Sequence, residues 1–184
     1  MPQSSIRLAS RDDIPAIEAL IPASVRGLSR DYYSNDQMEG AIGTAFGVDT
    51  RLIEDHTYFV VECDGKTVAC GGWSRRRTLF GGDHAAIRYD EALNPATDAA
   101  KIRAFFVHPD YARRGIATLI LKTCESAAIG EGFSRFEMGT TLPGVPFYRH
   151  HGYSEAEPLD VALPNGAMLP IVRMVKQITA TGGL

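Results

Sequence analysis

The stretch IRAFFVHPDYARRGIATLIL, residues 102–121, decides the fold class of this chain. Residues 102–107 form a nearly continuous apolar run, which predicts a central strand buried on both faces. In residues 114–129 the apolar positions have the spacing of a helix packed on one side; they are Ile116, Leu119, Ile120 and Ala127. A strand followed so closely by a helix indicates an α/β unit.

Further elements are predicted outward from this unit. We expect strands at residues 6–9, 57–63, 66–74, 133–138 and 168–178, with another near Val161, and helices at 10–25, 35–46 and 145–151. Asp64-Gly65 predicts a hairpin turn between two of the strands. Residues 79–100 have no clear period and predict a long connection. The order predicts a mixed α/β fold in one domain, residues 1–184.

Composition excludes several classes of protein. The chain has 184 residues, 45% hydrophobic and 22% charged, with a formal net charge of −3, which argues against nucleic-acid binding. There is no secretory signal pattern and no apolar run near the ~20 residues of a membrane span, so we expect a cytoplasmic protein with no membrane partner. Three cysteines without a Cys-x-x-Cys pair and five histidines without ligand spacing predict neither a disulfide framework nor a metal site.

The segment from Arg113 to Thr118 carries a binding signal. A helix start offers unpaired N–H groups and positive potential, and both suit a phosphate. Gly115 allows close approach to the backbone, Thr118 adds a hydroxyl, and Arg113 and Arg114 add charge. These residues predict an anion site. The competing interpretation is a solvated surface turn.

The longer context resembles the acetyl-coenzyme A (acetyl-CoA) core of the GNAT superfamily of N-acetyltransferases. That family's signature is Gln/Arg-x-x-Gly-x-Gly/Ala after a central strand, followed by an aromatic-Tyr-x-x-x-Gly-aromatic segment on a short helix. Here the first landmark is 112–117 and the second is FYRHHGY, residues 147–153. The match covers residues 101–153 and departs at Ala112, which stands where the signature has Gln or Arg.

The resemblance implies a mostly antiparallel central sheet flanked by helices, with a splayed central strand. It implies that acetyl-CoA, the acyl-donor substrate, is held by two groups of residues: Phe105, Phe106 and Val107 on the strand, and Arg113, Arg114, Gly115, Ile116, Ala117 and Thr118 at the helix start. Backbone groups of Phe106 and Val107 would pair with the pantetheine arm, and an N–H near Val107 would polarise the thioester carbonyl.

Tyr148 is the implied general acid, since a phenol can protonate the leaving thiolate. The general base stays open. Some relatives carry a glutamate on the central strand where this chain has Lys101, and Glu62, Glu137, His84 and His108 are alternatives, each with a structural interpretation beside it.

The acceptor side is implied to involve residues 24–50, 73–77 and 79–100. Tyr32, Tyr33 and Trp73 are candidates to line it. Asp83, Asp90 and Glu91 are candidates to attract an amine, and Arg75-Arg76-Arg77 to bind an acidic acceptor; core packing or solvent exposure is the alternative for each. The expected function is direct acetyl transfer to a primary amine of a small molecule or peptide, and a homodimer is compatible with it. The alternatives are a non-catalytic acyl-CoA-binding module and a longer acyl donor.

Overall fold

The structure, a computed structural model, describes residues 4–179. Its strands are β1 Ser4–Leu8, β2 Tyr58–Cys63, β3 Lys66–Ser74, β4 Ala100–Val107, β5 Arg135–Thr141, β6 Ser154–Ala162 and β7 Met168–Gln177. Its helices are α1 Ile14–Leu28, α2 Asn35–Ala41, α3 Thr50–Glu54, α4 Ile116–Gly130 and α5 Val145–His150. The predicted domain, residues 1–184, extends past the described residues at both ends and stays a prediction.

The strands form one sheet in the order β1-β2-β3-β4-β5-β7-β6. Every neighbouring pair is antiparallel except β4 and β5, which are parallel. The expected mixed, mostly antiparallel sheet flanked by helices is therefore confirmed. None of the helices within residues 4–179 has the length and apolar character that crossing a membrane requires.

A hydrophobic core lies on each face of the sheet. The α4 and α5 face buries Ile120, Leu121 and Tyr148 against strand residues such as Phe136. On the opposite face α1, α2 and α3 pack over the strands, with Ile17 and Leu52 fully buried. The alternation of strand side chains assigns Phe105 to the first core and Phe106 to the second.

Most predicted elements are present, with changed ends. The hairpin at Asp64-Gly65 has positive φ at both residues, +50° and +74°, as a tight two-residue turn requires. The predicted helix 35–46 ends earlier, at Ala41, because Ile42 is extended and Gly43 takes a φ of +85°. Helix α3 was not expected; the Asp49 side chain caps it by accepting a hydrogen bond from Arg51 N.

The prediction that the central strand is buried on both faces is wrong for the second half of β4. Its first four residues are buried, whereas Ala104 to Val107 are only half-buried. The second half of this strand therefore faces a cavity.

Candidate active site

The sheet opens between β4 and β5. These parallel strands pair only at Ala100 with Phe136 and at Lys101 with Glu137, while β5 continues beside β7 over its whole length. Past Lys101 the two strands diverge, so the expected splayed central strand is confirmed.

A cavity of about 830 Å³ fills the opening. Its walls include the start of α4, the connection after β3 and the β6–β7 pair. The end of α1 also lines it, on the side of the α4 start, because a β carbon on Gly27 would lie 2.2 Å from Pro109. Strand β4 from Ile102 to Val107 forms a wall of the cavity, so the backbone of the splayed strand is in reach of a ligand.

A bulge in β4 shapes this wall. Cys70 pairs with Phe106 and Gly72 with Arg103, so Gly71 alone faces two residues of β4. Ala104, one of these two, has a φ of +55°, a left-handed conformation that strains a residue with a side chain. A β carbon on Gly71 would lie 2.6 Å from the Phe105 ring, so this glycine leaves the space that Phe105 fills.

The turn before α4 forms the positive end of the cavity. Gly115 is the N-cap residue of α4 at a φ of +79°, and no side chain caps the helix. The first N–H groups of α4 are therefore free of intrahelical partners. Arg113 lines the cavity, while the guanidinium of Arg114 lies 5.1 Å from the centre of the Tyr111 ring.

Arg114 is the one residue of the expected coenzyme site that does not line the cavity. The residues that do line it are Phe105, Phe106, Val107, Arg113, Gly115, Ile116, Ala117 and Thr118. The Thr118 hydroxyl lies 3.1 Å from Nε2 of His151, a second residue of the cavity wall. Burial lowers the pKa of His151, so at neutral pH this ring is mainly uncharged.

Tyr148 projects from α5 to the same cavity. Its side chain is 6% exposed and packs beside the ring of Phe105, with 6.1 Å between the ring centres. Its hydroxyl makes no hydrogen bond within residues 4–179. The fully buried side-chain atoms that lack a partner in that region are Trp73 Nε1 and Arg103 Nε. Because the Tyr148 hydroxyl also lacks a partner but is not one of these atoms, it is not fully buried and reaches the cavity surface. Burial raises the pKa of this phenol well above its usual range, which keeps it protonated.

The N–H of Val107, expected to face the thioester, has a partner in the structure. His108 N donates to Val68 O on β3, so the preceding N–H points the other way, toward the opening. There it donates to Ser24 Oγ of α1 at 3.1 Å. The N–H therefore points toward the opening, and in this structure its hydrogen-bond acceptor is a serine hydroxyl.

None of the four proposed bases lines the cavity. Glu62 pairs with Arg7 at the far side of the sheet, and His84 and His108 lie on outer loops. Glu137 is held by Lys101 and by Arg173, the latter at 2.8 Å, beside a second cavity of about 840 Å³. Within residues 4–179 no Asp or Glu lines the main cavity.

The acceptor candidates divide into two groups. Tyr32 lines the cavity and is 50% exposed. Tyr33 is instead buried, and its hydroxyl donates to Pro170 O and accepts from Leu142 N, which links two distant segments. Trp73 lies in the core against Phe133.

The charged candidates point elsewhere. Arg75 and Arg76 bind Glu131 and Asp55, and Arg77 borders the second cavity. Asp83 accepts a hydrogen bond from Thr50 N, and Asp90 pairs with Arg51. Asp83, Asp90 and Glu91 do not line the main cavity.

Sequence reasoning missed a buried ion pair behind the β4 wall. Arg103 and Asp49 are 2% and 1% exposed and join at 2.7 Å, and Arg88 also binds Asp49 at 2.9 Å. Arg103 further donates to Thr78 O and Gly81 O, which fixes the connection after β3 against the strand. Within residues 4–179 no group of three or more His, Cys, Asp or Glu is arranged to hold a metal.

A sheet split beside a helix start, with the gap lined by a bulged strand, is the architecture of acyl-CoA N-acyltransferases. The chain matches the Acetyltransferase (GNAT) family over residues 24–153, and it belongs to that family. It is 35% identical over 121 residues to the uncharacterized N-acetyltransferase YjcF of Bacillus subtilis (strain 168), covering 64% of this chain and 72% of the relative.

Solved structures share the fold. A GCN5-related N-acetyltransferase from Rhodopseudomonas palustris superposes with a TM-score of 0.71 at 19% identity, over 97% of this chain and 98% of that one. The PaiA N-acetyltransferase of Thermoplasma acidophilum, solved in complex with coenzyme A, superposes with a TM-score of 0.64 at 12% identity, over 95% and 99%.

Proposed function

We propose that this protein transfers an acetyl group from acetyl-CoA to a primary amine by direct transfer in a ternary complex, with Tyr148 as the general acid. The observation that carries the proposal is a cavity lined both by Tyr148, whose hydroxyl makes no hydrogen bond within residues 4–179, and by the uncapped start of α4. One cavity thus holds a proton donor and a phosphate-compatible helix start.

The donor would lie with its pyrophosphate at the α4 start, near Arg113 and Gly115, and its pantetheine arm along β4. Free N–H groups and positive potential favour the phosphates there. The relative PaiA, solved with coenzyme A, supports this choice of donor. The arm would bring the thioester beside Phe105, which packs against Tyr148.

In the reaction the amine nitrogen bonds to the thioester carbon, and the carbon–sulfur bond then breaks. The thiolate takes the proton of Tyr148, and the proton released by the amine restores the phenol through water in the cavity. Holding both substrates in one cavity supplies the proximity that the step needs.

Acetyl-dependent thiol release, measured with purified protein and a panel of amines, tests the proposal. Release of coenzyme A together with formation of the acetylated amine is expected. If coenzyme A binds in calorimetry and no amine is acetylated, the transferase proposal fails and a coenzyme-binding module takes its place. Two observations favour that alternative: Val107 N–H is occupied by Ser24, and no carboxylate within residues 4–179 lines the cavity.

A further inference from the structure

We infer that the acceptor is an amine on an uncharged, apolar body and that it binds as the neutral amine. The inference rests on the proposed function and concerns the part of the cavity away from the α4 start. We call this part the acceptor chamber. Its walls are Tyr32, residues 45–47, residues 79–81, and Val161, Leu169 and Ile171 of the β6–β7 pair.

The chamber walls are largely apolar. Phe46 packs its edge against Phe106, with 6.2 Å between ring centres. A β carbon on Gly139 would lie 3.0 Å from Ile171 and 3.2 Å from Phe80, so both side chains lie over the bare backbone of β5. The glycine therefore lets two more apolar groups reach the chamber.

The rim of the chamber exposes apolar surface. The ring of Tyr32 lines the cavity, and this residue is 50% exposed. An acceptor with an apolar body would cover this surface and gain from its removal from water.

The chamber lacks a counter-charge for an ammonium group. Within residues 4–179 no carboxylate lines the cavity, and the nearby acids are engaged: Asp49 with Arg103 and Arg88, Asp83 with Thr50 N. The polar groups on the wall include the hydroxyls of Thr140 and Thr141, and Arg103 lies beside them.

These features select against charge on the acceptor. An ammonium group entering the chamber would lose hydration without gaining a partner, and a second ammonium group would lose more. Arg103 offers a carboxylate little, because it is 2% exposed and belongs to a network in which Asp49 binds both Arg103 and Arg88, and Asp83 lies near Arg88. Selection of the neutral amine also delivers the nucleophilic form without a carboxylate base in the cavity.

Calorimetry on the protein saturated with coenzyme A tests the inference without turnover. The probes are 2-phenylethylamine, 1,5-diaminopentane, which replaces the ring with a second ammonium, and phenylalanine, which adds a carboxylate. We expect 2-phenylethylamine to bind at least about tenfold more tightly than either. Its affinity should rise about tenfold per pH unit below the pKa of the amine. Equal or tighter binding of a charged probe, or affinity independent of pH, overturns the inference.

A charge-introducing variant sharpens the test. Tyr32→Glu places a carboxylate on the chamber rim, and Tyr89→Glu places one at a similarly exposed tyrosine outside the cavity. Tyr32→Glu should lower the preference for 2-phenylethylamine over 1,5-diaminopentane at least about fivefold, while Tyr89→Glu leaves it unchanged. Tyr32→Asp is the second variant if Tyr32→Glu melts early. An unchanged preference in the folded rim variant contradicts the inference.

The two proposals fail separately. If 2-phenylethylamine binds with the expected preference and no amine is acetylated, the transferase proposal fails and the character of the chamber stands. If thiol release is fastest with diamines or amino acids, transfer stands and the apolar acceptor is wrong.

Discussion

The Oγ atom of Ser24 on α1 accepts a 3.1 Å hydrogen bond from the backbone N–H of Val107 on β4. This bond joins α1 to the splayed end of β4. Because the N–H can serve one strong acceptor, Ser24 and a thioester carbonyl would compete for it.

Replacing Ser24 with alanine removes one of these two competing acceptors. In the free protein the Val107 N–H would lose its partner, and we expect a loss of about 1 kcal/mol in the free energy of unfolding. Acetyl-CoA would then supply the missing acceptor, so its Kd should fall about fivefold. Ser29→Ala is the control, because Ser29 also lies on the cavity wall but does not contact Val107 N. Weaker acetyl-CoA binding in Ser24→Ala would contradict competition for this N–H.

The coenzyme half of the site follows closely from the sequence. Residues 102–121 carry the apolar strand and the helix start within one short stretch, so local pattern is enough to place them side by side. The αL glycine at 115 is part of that stretch, as is the alternation that directs Phe105 and Phe106 to opposite faces.

The rest depends on contacts between distant segments. Ser24 meets Val107 across 83 positions and Asp49 meets Arg103 across 54, and neither pair has a sequence pattern. The base candidates were chosen by residue type, yet ion pairs hold Glu62 and Glu137 away from the main cavity. The packing of α1 and α3 over the sheet decides the first two contacts, and the pairing of β1 with β2 and of β4 with β5 decides the ion pairs. A single sequence reports neither.

The buried pair of Asp49 and Arg103 predicts a large loss of stability from a single change. Asp49→Asn leaves the Arg103 charge uncompensated in a site where both side chains are 2% exposed or less. We expect a loss of about 3 kcal/mol in the free energy of unfolding, measured by urea denaturation. The comparison variant is Glu39→Gln, which breaks the exposed pair with Arg26 and should leave the urea midpoint nearly unchanged. Similar midpoints for the two variants would contradict the role of burial.

Alanine substitutions at the two glycines at the ends of α4, Gly115 and Gly130, should have opposite effects. A β carbon on Gly115 or on Gly130 would meet no atom within 4 Å, but Gly115 alone of the two has a positive φ. Gly115→Ala should therefore cost about 1 kcal/mol of stability and weaken coenzyme A binding at least about tenfold, since the turn presents the free N–H groups. Gly130→Ala should be neutral or slightly stabilising and bind normally. Equal binding by both variants, measured by calorimetry, would remove Gly115 from the coenzyme site.

Tyr148→Phe removes a hydroxyl that has no partner within residues 4–179, so the fold should lose little stability. Because Tyr148 is the proposed general acid, loss of its hydroxyl should lower kcat about a hundredfold or more and leave the Kd of acetyl-CoA nearly unchanged. Tyr153→Phe is the matched control: that hydroxyl donates to Glu125 at 2.7 Å and lies off the cavity. Tyr153→Phe should lower the melting temperature and keep kcat.

The raised pKa of Tyr148 predicts how activity depends on pH if this residue is the general acid. Since burial favours the neutral phenol, Tyr148 stays protonated as pH rises through the usual range of tyrosine, and kcat should show no alkaline fall below about pH 10. The same shift means that stability from the buried neutral phenol is complete below pH 10 and declines above it, as the unfolded chain ionises. Wild type should therefore lose more stability than Tyr148→Phe between about pH 10 and pH 11, measured by thermal unfolding. An alkaline fall in kcat near pH 8 that Tyr148→Phe abolishes would show that this phenol ionises early, and the assigned burial would then be wrong.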